Sequence, residues 1–150
     1  MRKFFIIGLI LFTFLFSAKT MAQNTPAVLN HIAVYVSDLH KSAAFYKSVF
    51  NLKEIPEPFK DGKHAWLSLG AAGALHIIQG AKNNQTFDRN DHLCFSVPSI
   101  DDFIAKLNNV HVQFEDWAGK TSAITLRVDG VKQIYFQDPD GHWLEVNDAR

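Results

Sequence analysis

The sequence predicts an α+β fold of two paired β-α-β-β-β modules forming a cupped mixed sheet. Three observations carry this expectation. The order of strand-like and helix-like segments between residues 29 and 80 recurs between residues 91 and 147. His31 and His92, 61 positions apart, each open the first strand of their half, and Leu75-His76-Ile77 and Leu144-Glu145-Val146, 69 positions apart, each sit in the last. Strand segments in both halves alternate between aliphatic and other side chains, the period-2 pattern of a sheet with one face on a core. An internal repeat of this kind places two first strands and two last strands about one pseudo-twofold axis.

The first module, about residues 28–80, begins with the β-branched and aromatic run His31 to Val36. Ser37-Asp38 offers an N-cap, and a helix follows over His40 to Phe50 with Phe45, Val49 and Phe50 at helical spacing. Asn51 to Ile55 reads as a short strand ended by Pro56 and Pro58. Lys63 to Leu69 alternates, Gly70 to Gly73 turns, and Ala74 to Gln79 is the last strand. A polar linker spans Gly80 to Asn90. The second module, about residues 91–147, opens with a strand over Asp91 to Val97. Ser99 with Asp102 forms a capping box for a helix striped by Ile100, Phe103, Ile104 and Leu107. Val110 to Phe114 reads as short and extended. Strand residues lie over both Thr121 to Val128 and Val131 to Gln137, and the sequence leaves open which pairs as the seventh strand. Asp138-Pro139-Asp140-Gly141 is a turn by composition, and His142 to Asn147 closes the chain's last strand.

The 150 residues carry 15 basic and 15 acidic side chains, but residues 1–22 hold Arg2, Lys3 and Lys19 and no acid. The remaining 128 residues have a net charge of −3. That balance excludes nucleic acid as the main partner, because phosphate-binding domains carry a basic excess. One cysteine, Cys94, excludes an intrachain disulfide and a multi-cysteine zinc site. Arg2-Lys3 is followed by thirteen uncharged residues, Phe4 to Phe16. As a helix they would span about 20 Å, short of a ~30 Å hydrocarbon core. With small residues near Ala22, residues 1–22 read as a secretory signal cleaved after Ala22, the alternative being an uncleaved anchor. The expectation is an exported protein, periplasmic in a Gram-negative bacterium and otherwise secreted, that meets the membrane only during export.

Strand parity sorts the polar candidates. Ile32, Val34 and Val36, with their counterparts Leu75, Ile77, Leu93, Phe95, Leu144 and Val146, take the core face. His31, His76, His92 and Glu145 then fall on the opposite, concave side. Polar side chains on a mostly apolar face cost about 1–3 kcal/mol each when unpaired, and a divalent cation would satisfy all four together. Imidazole nitrogens suit zinc, nickel, manganese, iron or cobalt rather than calcium or magnesium. Tyr35, Trp66, Cys94 and Trp143 are candidates for the pocket lining. His40, His64, His111 and His142 are expected at the surface, with His64 the first exception because it shares parity with Trp66.

The run Leu29-Asn30-His31-Ile32-Ala33-Val34, Ser37-Asp38-Leu39, Phe45-Tyr46 and the stretch from Asp138-Pro139-Asp140-Gly141 to Glu145-Val146 resemble the vicinal oxygen chelate superfamily. That group includes glyoxalase I, methylmalonyl-CoA epimerase, extradiol dioxygenases and fosfomycin resistance proteins. The resemblance implies paired β-α-β-β-β modules with one divalent transition metal in the cup. His31, His92 and Glu145 fall on the first, third and fourth ligand positions. His76 falls on the second, where bacterial glyoxalase I carries glutamate and the epimerases glutamine. The activity implied is a metal-dependent lyase or isomerase of the lactoylglutathione lyase type, acting on a small substrate chelated through adjacent oxygens, with Glu145 and His76 as the catalytic candidates. The alternatives are a ligand-sequestering resistance protein and a non-haem iron dioxygenase. A homodimer is compatible with the resemblance.

Overall fold

The computed structural model describes residues 26–82 and 85–149; the expected signal sequence lies outside the described residues. Among the described residues, eight strands form two four-stranded mixed sheets, accompanied by two α-helices. In the first module β1 (His31–Val36) is followed by α1 (Leu39–Phe50), β2 (Glu54–Ile55), β3 (His64–Ser68) and β4 (Ala74–Gln79), and the sheet order is β1-β4-β3-β2. In the second, β5 (His92–Ser96) precedes α2 (Ile100–Asn109), β6 (Thr125–Leu126), β7 (Lys132–Gln137) and β8 (Trp143–Asn147), in the order β5-β8-β7-β6. First and last strands pair in parallel in each module, with Ala33 opposite His76 and Cys94 opposite Glu145. The duplicated topology expected from the repeat is therefore present.

The helices begin where their caps dictate. Asp38 accepts a hydrogen bond from the Lys41 amide at 3.0 Å, and Ser99 accepts one from the Asp102 amide at 3.1 Å, each relieving an orphan donor of the first turn. Asn51 ends α1 in the left-handed conformation, φ 56°. Two boundaries differ from expectation. The extended stretch Val110 to Phe114 joins no strand, because Glu115 alone bridges to Thr121 and Tyr135. Of the two candidates for the seventh strand both are used, the first only as the two-residue β6.

One core joins the modules. Val34, Val36, Leu67, Leu75 and Ile77 of the first sheet, Ile134, Phe136, Leu144 and Val146 of the second, and Tyr46, Val49, Ile100 and Leu107 of the helices belong to a single buried cluster. Phe50 of α1 stacks on Phe95 of β5 (centroids 4.1 Å) and lies 6.1 Å from the ring of Phe136. The helices are thus packed between the two sheets. Strand side chains alternate, so the other faces of both sheets look outward, on opposite sides of the molecule. β1 and β5, which carry His31 and His92, are each an open sheet edge.

Candidate metal centre

The four candidate ligands occupy the faces that parity assigned them, but one chain gathers them in two pairs rather than one set. Among the described residues no three His, Cys, Asp or Glu side chains cluster closely enough to hold an ion. His31 and His76 share the outward face of the first sheet, with ring centroids 5.7 Å apart. His92 and Glu145 share that of the second, with Nε2 3.4 Å from Oε2. The convergence of all four expected from the repeat is therefore not met within a single chain. The physical reason is the helix-inward packing of both sheets.

The second pair has the chemistry of a cation site. His92 Nδ1 lies 2.6 Å from the carbonyl oxygen of Arg89. A carbonyl only accepts, so Nδ1 carries a hydrogen, and in the neutral ring it is Nε2 that presents a lone pair. Facing Nε2 is a carboxylate oxygen, so a proton or a metal ion can be shared between the two groups. Two donors each about 2.1 Å from one ion at the tetrahedral angle stand about 3.4 Å apart, the separation found here. Glu145 is buried and is held in place on every side. Tyr135 donates to Oε2 at 2.6 Å, Asn147 Nδ2 donates to Oε1 at 2.9 Å, and the Cys94 thiol lies 3.3 Å from Oε1. Burial pushes this carboxyl up, but those hydrogen bonds and His92 outweigh it, and its pKa ends below the ordinary glutamate value. Burial of the sulfur, then the charge of Glu145, push the Cys94 thiol up to about 12, so it stays a neutral donor.

In the first pair His31 Nδ1 lies 2.8 Å from Asn30 Oδ1, which again leaves Nε2 free as a donor. His76 differs. Its Nε2 is 2.7 Å from Nδ1 of His64, so only Nδ1 remains open for an ion. Its ring stacks on Trp66 with centroids 4.2 Å apart. Burial, then the neighbouring His64 and His31, hold its pKa below the ordinary imidazole value. His64, foreseen only as an exception, is thus part of this face, and its Nε2 reaches Asp61 at 3.5 Å.

The pocket candidates lie on the same two faces. Tyr35 is half exposed, and the indole N–H of Trp66 is buried without a partner. Trp143 donates its indole N–H to the Phe87 carbonyl and carries the Arg89 guanidinium 4.4 Å above its ring. Arg89 also pairs with Glu115 and donates to the Trp117 carbonyl, which ties the 115–117 segment beside Tyr135. Tyr135 and Asn147 share strand parity with Glu145, a signal that was available in the sequence. Arg89 and Trp117 lie outside strands, where no periodicity marks them.

His142 corrects a reading. It is not a free surface residue, since its Nδ1 lies 2.8 Å from the buried carboxylate of Asp138 and its ring packs at a tilt against Phe87, centroids 4.2 Å apart. His40 and His111 are exposed as expected.

Residues 28–146 match the Glyoxalase/Bleomycin resistance protein/Dioxygenase superfamily. The chain belongs to this superfamily. It is 32% identical over 130 residues to the metallothiol transferase FosB of Lysinibacillus sphaericus, covering 79% of this chain and 80% of that one. It is 30% identical to the lactoylglutathione lyase of Schizosaccharomyces pombe, over 79% of this chain and 46% of the lyase. Among solved structures, the fosfomycin resistance protein FosX of Listeria monocytogenes superposes with a TM-score of 0.67 at 26% identity, covering 84% of this chain and 96% of FosX. A variant of FosX has been solved with Mn(II) and a dihydroxypropylphosphonic acid. These superfamily relatives are enzymes, and metal enters the name of one and the structure of another.

Proposed function

We propose that this superfamily member is a metal-dependent enzyme whose ion is held by His92 and Glu145 of one copy and His31 of a second. The observation that carries this reading is His92 Nε2 set 3.4 Å from the Glu145 carboxylate, with Nδ1 held by the Arg89 carbonyl so that Nε2 is the nitrogen left for an ion. Two further features support a second copy as the source of His31. The faces bearing the two ligand pairs look outward, and the β1 and β5 edges beside them are open to pairing. A homodimer with two such centres uses His31, His92 and Glu145 of both copies.

The reaction class we favour is a lyase or isomerase of the glyoxalase type, on a small substrate bound through adjacent oxygens. A divalent ion of the zinc, nickel, manganese, iron or cobalt group would polarise those oxygens as a Lewis acid. The chain supplies the rest. Tyr135 and Asn147 fix the Glu145 carboxylate, and the Arg89 carbonyl fixes the tautomer of His92. His76, its Nε2 engaged by His64, faces the substrate side with Trp66 at its back and stands as the proton-handling candidate. The leader-like residues 1–22 support an exported protein as part of the same proposal.

Elemental analysis of purified protein tests the ligand set. The expected result is one transition-metal ion per chain, lost in His31→Ala, His92→Ala and Glu145→Ala and kept in His76→Ala. Metal content unchanged by both His92→Ala and Glu145→Ala would overturn the reading.

A further inference from the structure

The Asp138-Pro139-Asp140-Gly141 turn sits between β7 and β8 of the second module, yet its carboxylates bind the first module. Asp140 Oδ1 accepts from the Ser37 amide at 2.6 Å, and Oδ2 accepts from the Ser42 hydroxyl at 2.8 Å. Asp138 accepts from the Tyr46 hydroxyl at 2.9 Å, from the amides of Asp140 and His142 at 2.9 Å each, and from His142 Nδ1 at 2.8 Å. Tyr46 and Ser42 are fully buried, and Asp138 is nearly so. Two carboxylates therefore reach across the module boundary, Asp138 buried and Asp140 part-buried. Neither touches the outward faces.

The position of this contact is as informative as its strength. Ser37 follows β1 directly, and β1 carries His31. His142 precedes β8 directly, and β8 carries Glu145. The clasp thus joins one ligand strand to the other at a distance from both ligands, and it does so with the helices between the sheets. While it holds, His31 and Glu145 of the same chain stay on opposite sides of the molecule.

We propose that Asp140, with Ser37 and Ser42, and Asp138, with Tyr46, form an inter-module clasp that positions the two half-centres back to back and so directs the metal cup to form between two copies. This rests on the composite centre proposed above. Asp140 is a positioning residue: it acts through β1 and β8, not on the ion. Hydrogen bonds to a charged acceptor are strong enough that losing both bonds of the part-buried Asp140 should weaken the pairing of copies roughly tenfold or more.

The test is dimer dissociation on dilution, followed by light scattering, with metal content and far-UV circular dichroism read on the same samples. Wild type should be a dimer with one ion per chain. Asp140→Ala should keep the far-UV spectrum, dissociate at concentrations at least tenfold higher, and lose metal in step with dissociation. Asp140→Asn and Ser42→Ala, each sparing part of the clasp, should fall between, and they carry the test if the alanine variant does not fold. Dimer strength and metal content equal to wild type in these variants would overturn the clasp alone. A monomeric wild type that binds its full complement of metal would instead overturn the composite centre.

Discussion

At the scale of single residues, the candidate centre is a question of what holds each donor atom. His92 is oriented by a main-chain carbonyl, His31 by the neighbouring Asn30, and Glu145 by Tyr135 and Asn147. Such supporting bonds typically govern metal affinity by one to two orders of magnitude. Tyr135→Phe should therefore lower metal affinity about 10- to 100-fold, measured by competition with a chelator, while leaving the fold intact. The same variant removes one of the bonds that keep Glu145 ionised, so the pH at which half the metal is released should move upward. Glu145 was legible from strand parity, because a period of two residues sorts side chains without knowledge of the fold; Tyr135 and Asn147 were not singled out, because which residue of β7 faces Glu145 is set by the strand register. The role of Arg89 was not, because it depends on a carbonyl in a linker and on rings brought near only by the finished sheet.

At the scale of elements, the sequence repeat translated into structure wherever a strand or helix had its own local signal. β1, β4, β5 and β8 carry strong alternation, and Ser99 and Asp38 mark the helix starts by their side-chain chemistry. The stretch from Val110 to Val131 resisted reading because its order comes from single bridges at Glu115 rather than from a run of paired residues. Two substitutions test how elements lock together. Phe50 stacks on Phe95 and packs at a tilt against Phe103 where α1 meets the second module, so Phe50→Ala should destabilise the protein by about 3 kcal/mol in chemical denaturation. Gly73 has φ +103°, and a Cβ there would lie 2.2 Å from the Asn30 carbonyl oxygen. Gly73→Ala should lower Tm by several degrees and, by displacing the residue that orients His31, reduce metal content as well.

At the scale of the whole molecule, the arrangement of the two modules decides what one chain is able to do. The repeat placed four candidate ligands on matching faces, and that placement survives in the structure. How the modules are joined was not legible, because the clasp is made by acids in a turn whose composition reads only as a turn. The joint should also carry a pH signature. Burial pulls His142 down, but its hydrogen bond to Asp138 and the charges of Asp138, Asp140 and Asp91 outweigh that, and its pKa ends above the ordinary 6.5. Burial pushes Asp140 up, but its bonds from Ser37 and Ser42 and the charge of His142 leave it below the ordinary 3.8. A raised histidine stabilises fully below pH 6.5 and loses that contribution as pH climbs through its raised value; a lowered aspartate stabilises above pH 3.8 and loses that as pH falls. Calorimetry of the metal-free protein should therefore find the highest Tm between about pH 4 and 6.5, with an alkaline decline that His142→Gln flattens.

The most direct test of a centre shared between copies is to mix two defective chains. His31→Ala and Glu145→Ala each destroy every centre in their own homodimer. In a mixed dimer one centre loses two of its three ligands, while the other receives His31 from one chain and His92 with Glu145 from its partner. Unfolding, mixing and refolding the two variants together should restore one metal ion per mixed dimer, half the wild-type content. Metal content that stays at the level of the separate variants, in mixed dimers verified by mass, would contradict the account.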